Sequence, residues 1–419
     1  MATFAAVINV AGSYTVTLNT NITVESLLLN STNATVNQTT GIFSATAGLT
    51  LSAGAFQMSG GTISNTTVNV TGGTLLIAAN GGNLLSGVTV NGDLNLNTTS
   101  AQTKIAGGTT FTQAHLAANA SSLGFAPGQM LAGTILFEGA VGGTRYVEMN
   151  GTAGTFTIGA TGVIRTNAGL TGDGNIGGTQ NFGGAMALVN QGLISSQVSG
   201  RTITISAASL ANTGTVEATN GGTVSVPAGY TQNAGITRVA GGGTISAVNG
   251  PIVIAAGRIE GSGTVNAKVA NSGIISPGLS AGTLAIADDL SLTGTSEIQI
   301  EIGGLAQGTQ FDLLTEAGTL ALNLNGTLRV SLINAFTPGA ANSFTVITSN
   351  QGITGAFANV VSGRIATAGG EGTFQVVVSG NSVVLNNFAV PEPSSALLLA
   401  AGAGMLALNR KRKLGVKLD

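Results

Sequence analysis

Leu188-Val189-Asn190-Gln191-Gly192-Leu193-Ile194 is echoed by Leu210-Ala211-Asn212-Thr213-Gly214-Thr215-Val216. Gln232-Asn233-Ala234-Gly235-Ile236, Ala256-Gly257-Arg258-Ile259 and Val269-Ala270-Asn271-Ser272-Gly273-Ile274-Ile275 continue the series. The glycines at 192, 214, 235 and 257 are 22, 21 and 22 residues apart, and Gly273 follows after 16. A period near 20 with several short strands per unit is the pattern of a solenoid. The fixed leucine pattern of leucine-rich repeats is absent, so the fold expected is all-β, a right-handed parallel β-helix. Equivalent residues of successive coils then lie ~4.8 Å apart. About 16 coils would make a rod of roughly 75 Å. Val, Ile and Leu fill the lumen, and Asn190, Asn212 and Asn233 are expected to stack as an amide ladder at a bend, with Gly two positions on making the turn.

The rest of the chain agrees with this. Tyr14-Thr-Val-Thr-Leu18, Ile22-Thr-Val24, Thr67-Val-Asn-Val70, Thr155-Phe-Thr-Ile158 and Thr202-Ile-Thr-Ile205 alternate with period 2 between Gly- and Asn-rich turns. After Ser276-Pro277-Gly278 the strands lengthen, as in Glu297-Ile-Gln-Ile-Glu-Ile302, and six of the 14 Phe residues lie beyond position 310. Residues 1–283 are therefore read as the repeat region and 284–388 as a C-terminal β capping region that covers the open coil. Charged residues are 7% of the 419, hydrophobic residues 43%, and there is no cysteine. Disulfides, thiolate metal sites and cysteine nucleophiles are thereby excluded. Residues 1–390 hold 9 Lys or Arg against 14 Asp or Glu, a balance that argues against nucleic acid as a partner.

Residues 389–419 have a different character. Pro391-Glu392-Pro393 precedes the uncharged stretch Ser394–Leu408, and Arg410-Lys411-Arg412-Lys413 follows it. Two prolines block a helix upstream and Ser394 can cap one downstream. A short C-terminal hydrophobic helix carrying Leu397, Leu398, Leu399, Met405, Leu406 and Leu408 is expected to enter the membrane, with the four cations held in the cytoplasm. Fifteen residues span only ~22 Å against a ~30 Å hydrocarbon core, which suits a transient anchor. The start Met1-Ala-Thr-Phe has no basic n-region, so the signal peptide that such a tail requires is expected upstream of Met1.

Two resemblances rest on these residues. Gly261-Ser-Gly263-Thr-Val265, Ser276-Pro277-Gly278-Leu-Ser-Ala-Gly282-Thr-Leu284, Phe311-Asp312, Ala335-Phe336-Thr337 and Gly355-Ala-Phe357 resemble the end of autotransporter-type β-strand-repeat passengers. The tail, with its motif at Pro391, Glu392 and Pro393, resembles the PEP-CTERM sorting signal. The resemblance implies export, transient anchoring in the cytoplasmic membrane and processing by an exosortase, a membrane transpeptidase, before release to the cell surface or matrix. It also implies association with exopolysaccharide or biofilm.

Candidate chemistry in the body is thin. Gly172-Asp-Gly174-Asn-Ile-Gly177 spells the dinucleotide fingerprint, but no helix pattern follows Gly177 and no acidic residue sits about 20 positions on. Glu297 and Glu301 share a strand face ~13 Å apart, beyond the ~5–9.5 Å of paired glycosidase carboxylates. Asp288 and Asp289 point to opposite faces, and His115 is the only histidine. No catalytic, cofactor or metal residue is assigned. The reading is a non-catalytic exported surface or matrix protein, with an adhesin or polysaccharide-binding protein as the alternative and a polysaccharide-degrading enzyme behind it.

Overall fold

The computed structural model describes residues 4–391 and contains 45 strands and no helix among them. Their arrangement is a parallel β-solenoid of about 14 turns, against the 16 expected. One coil shows the plan. Leu193–Ser196 lies in the first sheet, Thr202–Ile205 in the second and Ser209–Asn212 in the third. The chain then returns to the first sheet with Thr215–Ala218, in parallel register on Leu193–Ser196. Alternation of buried and outward residues on each strand sends Ile194, Ile203, Leu210 and Val216 into the lumen. Stacked at ~4.8 Å, such ladders form one continuous core along the rod.

The repeat glycines sit where the third sheet turns into the first. A Cβ on Gly214 would collide with the carbonyl oxygen of Gly192, one on Gly235 with that of Gly214, one on Gly257 with that of Gly235, and one on Gly273 with that of Gly257. The backbone of each coil therefore rests directly on the one before, and only glycine leaves room for it.

The buried amide ladder at the end of the third sheet is real but differs by one member. Asn190 and Asn212 are fully buried in register, and the Asn190 Nδ2 donates to Asn212 Oδ1 at 2.7 Å. The next rung is Gln232, not Asn233: Asn212 Nδ2 donates to Gln232 Oε1 at 3.2 Å, while Asn233 is exposed. The reason lies in the turn. Gly192 and Gly214 stand two residues after their rung, but Gly235 stands three after Gln232, and Gly257 three after Ile254, which continues the register. The extra residue is absorbed by a left-handed glycine, with φ +76° at Gly235 and +79° at Gly257.

Parallel stacking continues past Leu284. Thr283–Ile286 pairs with Leu313–Glu316, Glu297–Ile302 pairs with Thr327–Leu332 through six residues, and Leu322–Leu324 pairs with Ile353–Gly355. Between whole strands, antiparallel pairing is confined to the end, where Ser382–Ala389 lies between Ser343–Ser349 and Thr373–Ser379, and Arg364–Ala366 adds outside Thr373–Ser379.

Candidate functional site

The tail leaves the body from a strand that is held on both sides. Phe388 packs on Phe374 at 4.8 Å between ring centres, Phe374 on Phe344 at 5.9 Å, and Phe344 on Phe311 at 5.2 Å and Phe336 at 6.2 Å. This aromatic cluster closes the lumen, and its edge-to-face contacts add to the area it buries. Arg364 donates through Nη2 to the carbonyls of Thr373 and Asn387 at 2.7 and 2.8 Å, tying the last strand to its neighbour. Immediately beyond, Val390 and Pro391 are exposed. The sorting motif thus begins within two residues of the last anchored strand, on the surface. Glu392, Pro393, Leu397, Leu398, Leu399, Met405, Leu406, Leu408 and Arg410 to Lys413 lie outside the described residues. Among the described residues no helix is long and apolar enough to cross a membrane.

Acidic groups of the body are engaged mostly in holding loops. Asp312 is fully buried and accepts the N–H groups of Gly282 at 2.8 Å and Glu301 at 2.7 Å. It clips the Ser276–Gly282 loop to the following coil, which gives the Phe311-Asp312 and Ser276-Pro-Gly pairing a physical purpose. Burial pushes its carboxyl up to about 7, reinforced by nearby Glu301 and opposed by the two N–H donors. Asp289 accepts from the N–H groups of Thr319 and Leu320 and from Lys268 Nζ, and the Thr319 N–H, foremost, holds its carboxyl below the usual range. Glu316 accepts from the Gly318 N–H and the Ser349 hydroxyl. Glu297 accepts from Gln299 Nε2, and Asp288 accepts the Asp289 N–H.

Cations are used the same way. Arg145 is wholly buried and donates to the carbonyls of Glu138, Gly143, Val141, Ala117 and Gly139. Burial lowers its pKa, partly opposed by Asp173. On the outward face of the first sheet, Ser195, Glu217, Arg238 and Glu260 stand in one row, a coil apart. Arg238 bridges Glu260 at 2.7 Å and Glu217 at 3.3 Å, and Arg258, two residues before Glu260 on the same strand, adds a second cation to Glu260 at 3.3 Å, so the two carboxylates are matched by two guanidiniums. Further along, His115 lies between Asp93 at 3.4 Å and Glu138 at 2.8 Å.

The dinucleotide look-alike is part of the wall. Asp173–Ile176 is a strand of the second sheet, and Gly174 is small because Phe137 packs against it. Sequence reasoning did not single out Glu148, a fully buried carboxylate under the loop that follows this strand. It accepts from the Ser122 hydroxyl at 2.5 Å and from the N–H groups of Gln180, Asn181 and Phe182. The available signal was the pair of doublets Gly177-Gly178 and Gly183-Gly184 around Thr-Gln-Asn-Phe.

Residues 389–413 match the PEP-CTERM protein-sorting motif. No curated protein matches the chain. A signal of this kind implies a protein that is exported, held transiently at the membrane by its C-terminus and processed by an exosortase-type membrane enzyme.

Proposed function

We propose that this sorted, exported chain is a non-catalytic β-solenoid rod that serves at the cell surface or in the extracellular matrix, where it associates with exopolysaccharide in a biofilm. The observation that carries this reading is the junction at Ala389–Pro391. A capped, continuous rod ends in an anchored strand, and the sorting motif begins on the surface directly after it. The strand pairing and the core of residues 4–389 are complete among the described residues without the tail, as a processed signal requires. The hydrophobic stretch of the tail is the transient membrane anchor of this scheme. The non-catalytic assignment is supported by the acidic groups themselves, since Asp289, Asp312 and Glu316 are committed to backbone N–H groups.

Deleting 391–419 is the test. The expected result is a folded rod that no longer reaches the membrane or surface fraction. Unchanged location of the truncated chain would overturn the reading.

A further inference from the structure

At most corners between the second and third sheets the chain needs few residues; Ser206–Ala208 suffices in one coil. The preceding coil uses residues 177–185 at the same corner, and they fold back over the outward face of the second sheet. Elsewhere that face is open, giving the alternating exposure seen at Thr202–Ile205. Beneath this loop all four residues of Ser122–Phe125 are buried. Phe182 packs against Gly124, where a Cβ would come within 2.6 Å of the ring, and Lys104 Nζ stands 5.7 Å from the ring centre. Asn181 Nδ2 donates to the Ala120 carbonyl at 2.7 Å, two coils back.

Glu148 is buried with no cation hydrogen-bonded to it, and its charge is met by Ser122 and by N–H groups of a segment bounded by glycine pairs. Buried carboxylates need several strong donors, and here most are supplied by this one loop. Asn175 Oδ1, at the foot of the loop, is buried without a partner. Three neighbouring donors facing one carboxylate, beside a flat ring on bare backbone, reproduce what a sugar offers: adjacent hydroxyls and an apolar ring face.

We propose that residues 177–184 are a hinged strap closed over a carbohydrate site on the second sheet. In the open state Glu148 and Ser122 take sugar hydroxyls, and the Gly124 backbone under Lys104 seats the ring where Phe182 lies. The inference rests on the rod meeting matrix glycans, but its first readout does not depend on that.

The chain has no cysteine, so Ser122→Cys in the full chain creates a single thiol under the strap. Maleimide labelling should be slower there than at Thr179→Cys by about a hundredfold, and should speed up about tenfold or more when Phe182→Ala is added. Labelling at the rate of global unfolding, unmoved by Phe182→Ala, would overturn the strap. Calorimetric titration of the Phe182→Ala chain with cellopentaose, a galactan oligomer and an alginate oligomer should find at least one ligand. That binding should weaken about tenfold with Glu148→Gln, and with Lys104→Ala if the first variant is unfolded. Binding by none, or binding indifferent to both substitutions, would overturn the site. Sorting of the chain, followed by fractionation, is unaffected by either outcome, so the two readings fail separately.

Discussion

Gln232→Ala and Asn233→Ala distinguish the observed ladder from the one the repeat spelling suggests. Gln232 is fully buried and makes five side-chain bonds: Nε2 donates to the carbonyls of Gly235, Ala256 and Arg258, and Oε1 accepts from Asn212 and Thr237. Truncation strips partners from Asn212 Nδ2, the Thr237 hydroxyl and three carbonyls. Each orphaned buried group costs ~1–3 kcal/mol, with relief where another partner remains. The Asn212 Nδ2 keeps only a 3.4 Å bond to Gly214, and Thr237 keeps Tyr230 at 2.5 Å. With a cavity left behind, a cost of about 3–5 kcal/mol is expected. Asn233 is exposed, so its replacement should change stability by less than about 0.5 kcal/mol. Long repeat arrays do not unfold in one step, so the readout should be local hydrogen exchange. Protection of amides in 215–239 should collapse in Gln232→Ala, while those in 49–58 keep theirs. Equal loss in both variants would refute the register of the ladder.

Gly214→Ala should destabilise the same coils, because its Cβ has no space between successive backbones; denaturant titration with fluorescence-labelled coils would show it, and a neutral effect would contradict the close approach. Asp312 gives a pH signature. Its folded carboxyl titrates at about 7, above the usual 3.8, so between those values the folded state holds the extra proton. Stability from this group is therefore greatest below about pH 4 and falls as pH rises towards 7, by up to ~1.4 kcal/mol per pH unit. Asp312→Asn should flatten that slope in thermal melts across pH 4–8. Phe344→Ala, at the centre of the closing aromatic cluster, should cost about 3–5 kcal/mol and loosen the last strand first, read as early proteolysis near Asn387.

The repeat glycines announced the fold because their cause is local and recurs: wherever backbone rests on backbone, the side chain must vanish. Asn190 and Asn212 were readable for the same reason. Gln232 was not, since one extra residue in the turn moves the rung without disturbing the glycine spacing, and only the left-handed φ at Gly235 reveals it. The tail was recognisable from order of residue types alone, because a membrane address works through composition. Glu148 lay hidden because its partners come from Ser122 and from 180–182, brought together only when the coils stack. Asp312 was visible as part of a motif, but its partners at Gly282 and Glu301 were not.

In the proposed scheme a capped rod is delivered and then freed by its own C-terminus. Intact-mass analysis of the protein recovered outside the producing cells tests it most directly. The expected species is a folded chain that ends near Pro391–Pro393 and lacks the hydrophobic and basic segments. Recovery of chains that still carry Arg410–Lys413, in cells with a working exosortase, would contradict it.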